Sequence, residues 1–255
     1  MKTVLKRALC GITAFVIAAG AMSYFSADTF PEIARGVTAY AENDTITAAD
    51  LNNIDGNGEQ NSPYVITTAE ELFAVMSVGR TYYAILNNDI VINEGLLKRI
   101  DKETGKPMNA SDSIICWTPI SGGWNTANLD GMGHTIRGLY INESGKAGLY
   151  ASLQECSFKN LTITDSFVKG GDNVGVLLGD GYAGYYKSSL SADNVKIENT
   201  IVRGENHVGG LFGSYETGVH ENNYNITNCT VGADVTVTGT GDRVGGIASE
   251  CRGTI

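Results

Sequence analysis

One pattern is written three times at a fixed interval, and it leaves the chain few folds to choose from. Asparagine stands at the same place in "KNLTI" (Asn160), "DNVKI" (Asn194) and "TNCTV" (Asn228), and the two steps are equal. A glycine-rich run follows each one: "NVGVLLGD", "HVGGLFGS" and "RVGGIASE". Val174 follows Asn160 at the same distance as Val208 follows Asn194, while Val244 comes two positions later after Asn228. The third copy therefore carries an insertion of two, expected within "VTVTGTGD". A constant period of this size means stacked units, each burying its apolar face against the next.

The residue types fit stacked short strands. Leu161 and Ile163, Val195 and Ile197, and Cys229 and Val231 alternate with polar neighbours, the mark of half-buried strands. The asparagine column suits a sharp bend, because Asn and Gly enter the left-handed region cheaply. Stacked asparagines can also bond their amides from one layer to the next. Glycines in the run allow close backbone approach, and the apolar pair between them points inward. A degenerate earlier copy, "HTIRGLYI", aligns Gly138 with Asn160 and Ile136 with Phe158, at a shorter step than the later copies keep. That step matches one turn of a parallel β-helix. "AGLYAS" at Ala147 then takes the place of the glycine run. A phosphate loop is excluded: no Lys-Ser/Thr and no helical period follow the last glycine.

The first residues, "MKTVLKRALCGITAFVIAAGAM", read as a secretory signal peptide, with a basic start and an apolar run too short for a membrane span. Cleavage after Ala41 removes Lys2, Lys6, Arg7 and Arg35 with Asp28 and Glu32. That leaves 14 basic and 26 acidic side chains, a net charge near −12. Such a chain has no basic run for a nucleic-acid backbone and no membrane span after cleavage. Residues 42–63 are expected as an N-terminal linker and 64–135 as a cap with the first strands. Residues 136–255 are expected as repeats, incomplete at the C-terminal side and continued in a longer protein. "SECRGTI" reads as entry into another layer. Cys116, Cys156, Cys229 and Cys251 form no C-x-x-C pair, and the repeat columns of Cys156, Cys229 and Cys251 set up no obvious partner, which favours free thiols.

The N-terminal half carries further motifs. "DGNGEQNSPYVITTAEELFAVM" leads to "YYAILNNDIVI", then "ICWTPISGGWNTANLDGMGHTIRGLYI". This order, with "VGGLFG" at Val208, resembles bacterial surface and secreted proteins carrying GLUG-motif repeats. Leu129-Asp130-Gly131-Met132-Gly133-His134-Thr135-Ile136 matches that family's F-D-G-x-G-H-T-I element, with Leu for Phe. The resemblance spans roughly residues 55–255. It implies an all-β, right-handed parallel β-helix with an N-terminal capping helix. Thr68-Ala69-Glu70-Glu71 supplies the capping box of that helix. Trp117 and Trp124 are expected to pack the first layer.

Candidate sites follow from the repeat. The gap from Gly179 to Asn194 equals that from Gly213 to Asn228, so two loops leave the same corner of successive repeats. One carries Tyr182, Tyr185 and Tyr186; the other carries Tyr215, His220 and Tyr224. Exposed tyrosines suit an extracellular glycan or surface-protein ligand; tyrosines folded back would cover the layer instead. The GLUG motif is also known beside IgA-cleaving metallopeptidase domains, but "HENNY" at His220 is not H-E-x-x-H, and no catalytic residue or protein-bound metal is assigned. His134 is expected in a structural hydrogen bond, and His207 at an exposed position. Asp55, Asn57, Glu59 and Asp130 are the residues that a Ca²⁺ ion would use, although turns favour Asp and Asn anyway. The functional expectation is an exported, adhesin-like, non-enzymatic surface module. Its alternative is a non-catalytic repeat region of a larger secreted enzyme, peptidase or polysaccharide-degrading.

Overall fold

A computed structural model describes residues 44–182, 189–216 and 223–249. Strands dominate. The N-terminal part runs β1 (Tyr64–Ile66), α1 (Ala69–Met76), β2 (Tyr82–Leu86), β3 (Ile90–Val91), β4 (Ile120–Asp130), β5 (Thr135–Arg137) and β6 (Tyr140–Asn142). Then come β7 (Tyr150–Thr164), β8 (Ser166–Lys169), β9 (Leu178–Tyr182), β10 (Ser189–Ile197), β11 (Thr200–Gly204), β12 (Val208–Gly209), β13 (Phe212–Glu216), β14 (Asn223–Thr227), β15 (Thr230–Val231), β16 (Thr236–Gly239) and β17 (Val244–Gly245). From β7 onward the strands pair in parallel, each with its counterpart in the next repeat. The main sheet runs β1-β2-β4-β7-β10-β14, and a second sheet runs β16-β11-β8-β6.

The repeat period is the register itself. Leu161 pairs with Val195 and Ile163 with Ile197; Val168 pairs with Val202. These side chains are buried and stack in columns through one continuous core. The apolar pairs of the glycine runs, Leu177-Leu178 and Leu211-Phe212, enter the same core. At Gly213 an added Cβ would sit 2.4 Å from the carbonyl oxygen of Gly179, so no larger residue fits between adjacent layers there.

Three columns of left-handed residues bend the chain, the first of them within β7 and β10 and between β14 and β15. Asn160, Asn194 and Asn228 take φ of 50°, 53° and 55°. Asp165 and Asn199 form a second column at 50° and 37°, and Asn173, His207 and Arg243 a third at 60°, 53° and 60°. The amides bond between layers as the column implied: Asn194 Nδ2 donates to Asn160 Oδ1 at 3.0 Å, and Asn160 Nδ2 to Asp130 Oδ1 at 3.0 Å. Asn228 departs from the column and donates to Asp193 Oδ1 at 2.9 Å.

Two registers differ from the sequence reading. The early degenerate copy pairs Ile136 with Ile163 and Tyr140 with Phe167, a longer step than the alignment of Gly138 with Asn160 implies. Gly138, at φ 74°, is thus equivalent to Asp165 and not to Asn160. A period-two pattern flanking a left-handed residue occurs at more than one bend of each repeat, so local pattern alone selects the wrong bend. The insertion of the third copy is also split. Thr230 still faces Lys196 in the register of the earlier repeats, but Thr236 faces Ile201 one position late and Val244 faces Val208 two positions late. One added residue therefore lies before "VTVTGTGD" and the other inside it.

Helix α1 has the expected capping box: Glu71 N donates to Thr68 Oγ1 and Thr68 N to Glu71 Oε2, both at 3.1 Å. Its Leu72, Ala74, Val75 and Met76 join the main core beside the end strand β1. The stretch 42–63, read as a linker, is held to the body where it is described. Ile46 and Ile54 are buried, and Ile46 N donates to Cys116 O at 3.1 Å. Trp117 is fully buried, with Nε1 donating to Leu149 O at 3.1 Å; the Trp124 side chain lies outside the described set.

An excursion over residues 93–116 gives the second sheet an outer cover that the repeat did not announce. Asn93 fastens its two ends: Nδ2 donates to Ile115 O and Gly138 O, and Oδ1 accepts from Ile115 N. Leu96, Leu97, Ile100 and Ile114 pack on Tyr140, Phe167 and Ile201, which stand in register on three successive strands. Arg203 grips Glu103, far away in sequence, through two bonds of 2.8 and 2.7 Å.

The bend column yields a prediction. Asn194→Ala forces a Cβ-bearing residue with no polar side chain into the left-handed region and removes an inter-layer bond. It should cost about 2–3 kcal/mol in urea denaturation. Asn194→Gly keeps the bend and should cost about half of that or less.

Candidate binding surface

The stems of the two tyrosine loops are described, and they stand in register. Leu178, Asp180, Gly181 and Tyr182 of β9 pair with Phe212, Ser214, Tyr215 and Glu216 of β13. The returning strands also pair, Ser189 with Asn223 and Leu190 with Tyr224. Segments 183–188 and 217–222 thus leave from adjacent strand ends and return to adjacent strand starts. Tyr185, Tyr186 and His220 lie outside the described residues. Tyr182 and Tyr215 have their backbones on the two neighbouring strands; their side chains lie outside the described set.

Within the stems a polar row is tied down. Ser152, Asp180 and Ser214 form one row across β7, β9 and β13. Lys146 pairs with Asp180, whose side chain is 13% exposed. Farther along the main sheet, Asp130 binds Lys159 Nζ at 3.0 Å and accepts from Met132 N and the Asn160 amide. Partial burial opposes its charge, but these donors outweigh it and hold the carboxyl below the usual range. Asp193 is held low in the same way, by the Thr227 hydroxyl and the Asn228 amide. Both carboxylates serve the ladder between layers.

The Ca²⁺ candidates do not converge. Asp130 is engaged as above, and Asn57 Oδ1 accepts from Glu59 N at 3.0 Å in an ordinary turn. Among the described residues no three His, Cys, Asp or Glu side chains gather at metal-binding distance. His134 Nδ1 lies 3.4 Å from Asp89, and His207 Nε2 lies 2.7 Å from Arg243 Nη1. His207 is half-buried and takes a bend position, where the three copies carry three different residue types.

A buried polar cluster escaped the sequence reading. The Tyr82 and Tyr150 hydroxyls meet at 3.0 Å, and Tyr150 donates to Met76 O at 2.8 Å. Burial pushes both phenols well above their ordinary range. Neighbouring Cys156 is buried too, and its thiol is pushed up to about 12. Strand alternation marks Tyr82 and Tyr150 as inward, but nothing local shows that two residues so distant in sequence meet.

Cys116, Cys156 and Cys229 are free thiols, for the last two as their repeat positions suggested; Cys251 lies outside the described residues. Cys229 is only half-buried, because β15 has a single described neighbour, β10. No described helix is long and apolar enough to cross a membrane.

No family model matches the chain. A stretch of 131 residues, 49% of this chain, is 32% identical to halomucin of Haloquadratum walsbyi and spans about 1% of that protein's length. Among solved structures, a chain provisionally assigned as an immunoglobulin A1 protease from Bacteroides ovatus is similar at TM-score 0.47 and 20% identity. The match covers 76% of this chain and 63% of that one.

Two outcomes follow for the buried groups. In thiol labelling of the folded protein, Cys229 should react well before Cys116 and Cys156, as read by peptide mass spectrometry. Folded Cys156 holds its proton to about pH 12, against about 9 unfolded. Its contribution is therefore complete below about pH 9 and lost as pH climbs toward 12, at up to about 1.4 kcal/mol per pH unit for one proton. Denaturation series from pH 8 to 11 on the wild type and Cys156→Ala check this. The variant should show the shallower fall.

Proposed function

We propose that the chain is an exported surface module of the GLUG-repeat type. Its stacked repeats form a right-handed parallel β-helix that displays binding loops at one corner. The observation that carries this reading is the register of the loop stems, in which two segments of equal length rise from paired strands. Adjacent parallel strands are about 4.8 Å apart, so side chains at equivalent loop positions address one ligand together. Tyr182, Tyr185 and Tyr186 with Tyr215 and His220 are the contact residues of this proposal. The ligand is an extracellular glycan or a surface protein, since flat aromatic faces with polar tips suit both. A secreted or cell-surface setting is compatible with the local likeness to halomucin.

The role assigned is binding and display, not catalysis. The test is a paired glycan and surface-protein array with the wild type and the Tyr185→Ala/Tyr186→Ala double variant. The double variant should lose at least tenfold in apparent affinity for whatever the wild type captures, with an unchanged thermal melt. Equal capture by both proteins would remove the loops from the account.

A further inference from the structure

At the end of the main sheet where β1 lies, an open cleft of about 800 Å³ is found beside that strand. Its polar lining comes from Asp50, Asn52, Asn57, Glu59 and Arg80, with the half-buried Leu51 supplying apolar surface. The "DGNGEQNSPY" motif, which plays no part in the repeats, forms one wall.

That wall is fixed before any ligand arrives. Asn57 N and Gly58 N both donate to Ser62 O at 3.0 and 3.1 Å, and Ser62 N returns a bond to Glu59 O at 3.0 Å. Val65 N anchors the loop through Asp55 O, and Tyr83 N reaches Gly58 O, each at 2.9 Å. Gly58 lies on the Tyr64 ring, where an added Cβ would be 2.5 Å from Cε2. Tyr64 is 4% exposed, and its hydroxyl accepts from Arg80 Nη2 at 2.7 Å, which sets the guanidinium at the cleft. Fixed donors and acceptors lose little entropy on binding.

We infer that this cleft is a second ligand site, built for a neutral saccharide. Glu59 and Oδ2 of Asp50, whose Oδ1 already accepts from Asn52 N and Nδ2, accept from sugar hydroxyls, while Arg80 and the Asn57 amide donate to them. Such mixed polarity matches a group that does both. The apolar surface of Leu51 suits the C–H face of a pyranose ring. Two carboxylates against one guanidinium disfavour an anionic ligand, as does the chain's net charge of −10. This site does not depend on the tyrosine loops, and the two proposals fail separately.

The test is a ¹H–¹⁵N NMR titration of the chain with neutral trisaccharides of glucose, mannose and N-acetylglucosamine. A sialylated trisaccharide and a trilysine peptide are run alongside. At least one neutral trisaccharide should shift the amides of Leu51, Asn57, Gly58 and Arg80. Glu59→Gln and Arg80→Ala should each weaken that binding about tenfold or more, with spectra elsewhere unchanged. The Tyr185→Ala/Tyr186→Ala variant should bind at this cleft as the wild type does. The inference is overturned by no shift at these amides up to millimolar sugar. Preference for the sialylated sugar or for trilysine overturns it as well, as does full binding by both cleft variants.

Discussion

A left-handed bend that recurs once in every repeat, from Asn160 to Asn194 to Asn228, holds this molecule in step. A strand that slipped by one residue would turn its apolar face outward, and the asparagine bends prevent that slip twice over. They fix where β7 and β10 bend, and their amides bond from layer to layer, Asn160 to Asp130 and Asn194 to Asn160. Columns such as Leu161–Val195 and Val168–Val202 then close without a gap. Backbone and side chain ask for the same register, which is the consistency expected of a chain with one native arrangement.

Layering also places what is not repeated. The second sheet carries Tyr140, Phe167 and Ile201 outward in one row, where a bare solvent face would need polar residues. The excursion from Asn93 to Cys116 covers that row, and the Arg203–Glu103 pair marks its far limit. In the next layer the corresponding residue is Thr236, and the need for a cover ends there. The loop stems of β9 and β13 show the opposite use of the same geometry. There the strands bring the stems of two segments of equal length side by side, so recognition is proposed at that corner.

Much of this was legible in the sequence wherever the period was constant. The strand set from Cys156 to Val231, the Asn bends, the glycine contacts and the capping box of α1 all follow from local patterns. Where copies diverge, local pattern fails. Gly138 matches the wrong bend because each repeat holds several left-handed positions with similar neighbours. The Tyr82–Tyr150 contact and the cover over residues 93–116 depend on partners far away in sequence, and no periodic signal points to them. The cleft beside β1 was touched only through Asn57 and Glu59, read as cation candidates. Arg80 stands beyond helix α1 in the chain, and only the folded protein brings it to the same wall.

Equivalent residues of successive repeats are parallel neighbours, and the fold stands on that claim. Backbone nuclear Overhauser effects on deuterated, ¹⁵N-labelled protein test it most directly. Amide contacts should link the strand around Leu161 and Ile163 to that around Val195 and Ile197, with each residue facing its own counterpart in the next repeat. The same offset should continue from Lys196 to Thr230. Contacts of antiparallel pattern between these segments, or none at that offset, would contradict it.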